Sequence, residues 1–135
     1  MPGLSGLALT KEETIEILSL YATSQQPVLA VAADPGWNVI GSFPIPTTAD
    51  IRLDVTASVS DPSLTLIVRM YCVTPGFTGE VSGSRVQLNS TIDAEVFSAQ
   101  FTLTGGRLYQ VQAEVTGNAG DNYFGYVRRA APATI

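Results

Sequence analysis

The chain has 135 residues, of which 45% are hydrophobic and only 14% charged, and its formal net charge is −5. That length fits one domain, and the apolar content excludes a disordered segment. The acidic balance argues against a nucleic-acid partner, which requires clustered Lys and Arg over phosphates.

Residues 1–9 (MPGLSGLAL) are small and uncharged and read as an arm, with Leu4, Leu7 and Leu9 as candidate interface side chains. Thr10-Lys11-Glu12-Glu13 has the form of a capping box, in which the Thr10 hydroxyl accepts from the Glu13 amide and Glu13 reaches back. Ile15, Leu18 and Tyr21 or Ala22 recur at helical spacing behind it, so the sequence predicts a short helix over residues 11–22. Arm and helix together form the unit 1–26, and a β-domain is expected over 27–135.

After Pro27 the period changes from helical to two. Residues 28–32 form a short apolar run closed by the turn Asp34-Pro35-Gly36. Residues 37–43 follow, with Pro44 and Pro46 barring the next positions from a central strand. Ile51, Leu53, Val55, Ala57 and Val59 alternate with polar partners. The turn Ser60-Asp61-Pro62 separates them from an apolar strand over 64–73, and a loop to about Gly83 leads to a short strand over 85–89. Three further alternating segments, 94–103, 108–115 and 123–129, are divided by TGGR and TGNAGDN. About eight short strands at regular spacing indicate an all-β antiparallel sandwich or barrel.

The strand over 64–73 breaks the clean alternation. Leu64, Leu66, Val68, Met70 and Cys72 form one apolar face, while Ile67, Tyr71 and Val73 make the opposite face apolar too. Strands apolar on both faces are covered on both sides. Cover by the helix or by another subunit is therefore expected, and Ile67, Tyr71 and Val73 are candidate interface residues.

Catalytic chemistry finds little support. The chain has no histidine, which removes the commonest general base and metal ligand, and its single cysteine excludes an internal disulfide. Cys72 sits in an apolar run as a small hydrophobe. Lys11, the only lysine, falls in the first turn of a surface helix. Asp93 and Glu95, about 7 Å apart along one strand face, read as solvent-facing acids rather than a hydrolytic pair. The GNAGDN loop offers Asp121 and Asn122 as oxygen donors but lacks the acid spacing of a calcium loop. Thr104-Gly105-Gly106-Arg107 lies between two strands and reads as a hairpin turn, not an anion loop. The sequence is therefore read as a non-enzyme with no cofactor and no metal. Trp37, Phe124 and Tyr126 remain as a candidate stacking platform for a ligand.

The run FTLTGGRLYQVQAEVTG, from Phe101 to Gly117, resembles the penultimate hairpin of jelly-roll-type sandwiches. Two groups share that pattern: carbohydrate-binding modules and the small decoration or cement proteins of tailed-phage heads. The second resemblance implies a structural subunit that acts through protein–protein contacts, self-associates and attaches to a capsid, which would place it in the virion. The first implies a glycan ligand. The doubly apolar strand, the arm and the lack of a leader or membrane-spanning segment favour the particle reading. With no metal site expected, the melting temperature should be indifferent to EDTA. A fall of several degrees would instead make Asp121 and Asn122 ligands.

Overall fold

The computed structural model describes residues 12–21, 29–32, 36–92, 95–117 and 123–135. Among the described residues nine strands lie in two antiparallel sheets: β1 (Leu29–Ala32), β2 (Asn38–Ile45), β3 (Ala49–Val59), β4 (Thr65–Cys72), β5 (Gly79–Glu80), β6 (Val86–Leu88), β7 (Val96–Leu103), β8 (Arg107–Thr116) and β9 (Phe124–Thr134). Sheet one has the order β1-β9-β3-β7, and sheet two the order β2-β8-β4-β5 with β6 also pairing β4. The expected antiparallel sandwich is thus observed. The strand beyond the eight expected is the two-residue β5, within the loop after Pro75.

Inward positions follow the predicted period of two. Ile51, Leu53 and Val55 of β3, Leu66, Val68 and Met70 of β4, and Val111, Ala113 and Val115 of β8 are fully buried between the sheets. Tyr109 joins them, and its hydroxyl, accepting from the Thr104 amide at 2.9 Å, satisfies its one polar atom. β4 has a gap on its β5–β6 side. β5 pairs it at Tyr71–Cys72 and β6 at residues 66–68, leaving the Met70 peptide without a strand partner. The fully buried Ser84 fills the gap: its Oγ accepts from Met70 N at 3.1 Å, while the Met70 carbonyl accepts from Val81 N at 2.9 Å.

Both prolines inside strands sit where no N–H is needed. The Val73 amide donates to the Leu108 carbonyl, which assigns the even-numbered residues of β8 to β4. Pro44, opposite Leu108, therefore turns its nitrogen to the free edge of β2, so this strand runs to Ile45 rather than ending at Phe43. Likewise the Ile135 amide donates to the Asp50 carbonyl, so odd-numbered residues at the end of β9 bond β3. Pro132 then turns its nitrogen to the β1 side, beyond Val127, where the described pairing with β1 stops. β9 consequently extends past the expected Arg129, with a register shift at Arg128.

The helix, α1 (residues 12–21), closes the sandwich beside β2 and β9. Its inward stripe is Thr14, Ile17, Leu18 and Tyr21, not one through Ile15, which is 50% exposed. The Thr47 amide donates to Thr14 Oγ1 at 3.3 Å and sets this rotation. Leu18, 2% exposed, belongs to the sandwich core itself. The Tyr21 ring lies 5.0 Å from that of Phe43, over Gly41 at the β2 bulge, where a Cβ would come within about 2.5 Å of the tyrosine. The capping box begins at Thr10, outside the described residues.

Because Leu18 fills core space, Leu18→Ala should lower unfolding free energy by about 2–5 kcal/mol in urea titrations, although it lies outside every strand. Burial pushes the Tyr21 phenol up to about 12, so the folded state holds that proton more tightly than the unfolded chain does. Stability from this group is intact below pH 10 and is lost as pH rises toward 12. Tyr21→Phe should shrink the alkaline loss of melting temperature across that window.

Candidate functional site

The outer face of sheet two carries the densest set of interacting polar and aromatic side chains among the described residues. Since Val68 and Met70 point inward, Arg69 and Tyr71 point outward, opposite Gln112 and Gln110 of β8. The chain enters β2 across this face. The Gly36 amide donates to Glu114 Oε2 at 3.0 Å and Asn38 Nδ2 to the Ala113 carbonyl at 3.3 Å, which holds Trp37 over β4. The Arg69 guanidinium lies 3.7 Å from the Trp37 ring centroid and 4.7 Å from that of Tyr71. Its side chain is only 13% exposed, so its charge has exchanged much of its water for ring faces and hydrogen bonds.

Those bonds run in a line across the sheet. Gln112 Nε2 donates to Gln110 Oε1 at 2.9 Å, and Arg69 Nε donates to Gln112 Oε1 at 3.0 Å. Arg69 Nη1 pairs with Glu80 Oε1 at 3.1 Å, and Arg85 Nε reaches both Glu80 oxygens at 2.9 Å. Each member fixes the next, and the result is a rigid strip of amides and guanidinium groups edged by two aromatic rings. Among the described residues of this strip no nucleophile stands beside a base; what it presents is hydrogen-bond donors and acceptors and aromatic ring faces.

The predicted interface residues Ile67, Tyr71 and Val73 all map to this face. Ile67 is only 9% exposed, and Tyr71 is half-buried beneath Arg69. The cover on this second apolar face comes from the chain itself, and α1 lies elsewhere. The platform of Trp37, Phe124 and Tyr126 divides between opposite faces. Phe124 and Tyr126 stack at 6.3 Å on the outside of sheet one, whereas Trp37 joins Tyr71 on sheet two. Leu4, Leu7, Leu9, Asp93, Asp121 and Asn122 lie outside the described residues, and Glu95 accepts from Ser90 Oγ at 2.6 Å. Arg69, Glu80, Arg85, Gln110 and Gln112 escaped sequence reading as a set. The signal for them is register, since Arg69 faces Gln112 and Tyr71 faces Gln110 only once β4 and β8 are aligned.

Besides a cavity of about 340 Å³ lined by Thr14, Thr47 and Thr134, two others lie away from this strip. One of about 460 Å³ separates α1 from sheet one, with Ile15, Leu18, Val96 and Ala131 on its walls. Asp54 at its side is held by Ser98 Oγ at 2.6 Å and by Arg52 at 3.2 Å. The other, of about 240 Å³, lies at one end of the sandwich, where Arg107 covers the Phe77 ring at 3.9 Å. Among the described residues no three His, Cys, Asp or Glu side chains gather as a metal site, and no helix is long and apolar enough to cross a membrane.

No family model matches the sequence, and no curated protein matches it. Solved structures do. A structure of CBM4 superimposes with a TM-score of 0.51 at 13% identity, covering 80% of this chain and 71% of that one. The N-terminal cellulose-binding domain of β-1,4-glucanase C from Cellulomonas fimi gives 0.53 at 15% identity, over 82% and 80%. The fold is a jelly-roll-like β-sandwich. A chain of infectious bursal disease virus, Gx strain, also matches, with a TM-score of 0.48 and 11% identity over 78% of this chain and 27% of that one.

Proposed function

We propose that this chain is a non-enzymatic glycan-binding module whose ligand lies along the outer face of sheet two. The strip of Trp37, Arg69, Tyr71, Gln112 and Gln110 carries the reading. A sugar ring offers a flat C–H face and a girdle of hydroxyls. The first packs on aromatic faces, and the second pairs with planar amide and guanidinium groups that donate and accept in plane. Because the strip is already bonded into one geometry, binding costs little side-chain entropy. The net charge of −5 favours a neutral polysaccharide over an acidic one. The cellulose-binding domain supports this reading through its fold alone.

The second reading is a structural subunit of a larger particle, of the virion-decoration kind. Its original ground, the doubly apolar β4, is weakened by the cover that Arg69 and Trp37 give that face. It retains the exposed apolar side chains Ile15, Ile92 and Val96, which suit burial against a neighbour.

Titration of the intact protein against a panel of neutral polysaccharides separates the two. We expect binding that falls at least about tenfold in Trp37→Ala and in Gln110→Ala, a loss of about 1.4 kcal/mol. Phe124→Ala, on the opposite face, should leave it unchanged. Absence of any glycan binding, or binding indifferent to both substitutions, would overturn the proposal and promote the particle reading.

A further inference from the structure

The four-stranded sheet leaves one edge without the usual protection. Its other margin, β1, is a strand of only four residues. In the second sheet, β2 carries Pro44 and a register shift, while the far side is broken into β5 and β6, of two and three residues. β7 is different: it spans eight residues, VFSAQFTL, with no charge, proline or glycine, and among the described residues it pairs only β3. Natural sheets shorten, bend or charge such strands because a row of free N–H and C=O groups templates another strand.

The alternation identifies the outward groups. The Ala57 amide donates to the Glu95 carbonyl, so the odd-numbered residues of β7 bond β3, and Val96, Ser98, Gln100 and Thr102 turn their peptide groups outward. The turn at Gly83 comes close to the Gln100 carbonyl, within 3.6 Å of where a Cβ would lie, and screens that end. Among the described residues, the outward peptide groups of Val96 and Ser98 have no backbone partner. Val96 is 58% exposed, while Phe97 and Ala99 point inward yet are only half-buried.

We propose that this open edge pairs with the same edge of a second copy, β7 to β7, antiparallel across a two-fold axis at Phe97. The need for backbone partners calls for an extended strand. The lack of charge lets two chains of net charge −5 approach there without bringing like charges together. In that register Val96 faces Ser98 of the second copy and its counterpart does the same, giving about four new backbone bonds. The two Phe97 rings meet as a close cross-strand pair. Val96 also borders the cavity beside Ile15, so closure of the edge covers adjoining apolar surface. This pairing is independent of the glycan-binding strip on the other sheet.

Sedimentation equilibrium of the full chain over a wide concentration series, combined with amide exchange, tests it. Dimer should accumulate with concentration, and the Val96 and Ser98 amides should gain protection in step. Those of Phe97 and Ala99, bonded to β3, should be protected throughout. Val96→Lys, at an exposed site, should weaken association at least tenfold with the melting temperature nearly unchanged; Ser98→Pro, which removes an outward N–H together with the exposed Oγ bond to Asp54, should weaken it as much, with Ser98→Ala as the control that loses the Asp54 bond alone and keeps the dimer. A monomer at every concentration would overturn the proposal. So would a dimer that persists in folded Val96→Lys or Ser98→Pro, or one that protects a different edge.

Discussion

The inward alternation of β3, β4 and β8 constrains everything else in this molecule. Each contributes a row of side chains with almost no solvent contact, and each has strand neighbours on both edges. A slip of one residue in any of them would send Leu53, Val68 or Val111 into water and polar side chains inside. Register is therefore tightly held, and with it the outward positions. Arg69 can meet Gln112 because Val68 and Val111 are committed to the core.

Register also explains how a surface of so few charges supports an organised polar strip. Arg69 is an expensive group to remove from water unless its donors find acceptors. Here Gln112 and Glu80 supply them, and the rings of Trp37 and Tyr71 flank the guanidinium plane. Glu80 stands on β5, a strand short enough to seem incidental. Its two residues nevertheless hold that carboxylate between Arg69 and Arg85.

The period of two was plainly legible in the chain, and so was the fold class. β3 and β8 read directly from alternating apolar residues, and the Gly105-Gly106 turn between β7 and β8 lies where the two glycines stand. Strand ends were less visible. Pro44 and Pro132 look like stop signals, yet each turns its nitrogen to an unpaired side, a property of edge and neighbour rather than of local sequence. The rotation of α1 was missed because Thr14, a polar residue, occupies the inward stripe through its bond to Thr47. The polar strip was hidden for a related reason. Its members stand at positions 37, 69, 80, 85, 110 and 112, and nothing along the sequence shows that these are neighbours.

Trp37 is the only tryptophan in the chain. With a guanidinium against its face, its indole senses a cation on one side and whatever solvent or solute lies on the other. The protein thus carries one intrinsic fluorophore, and it sits on the surface where the polar strip is built. Its emission maximum and quenching by iodide or acrylamide therefore report on that surface alone, with no background from a second indole and no label attached.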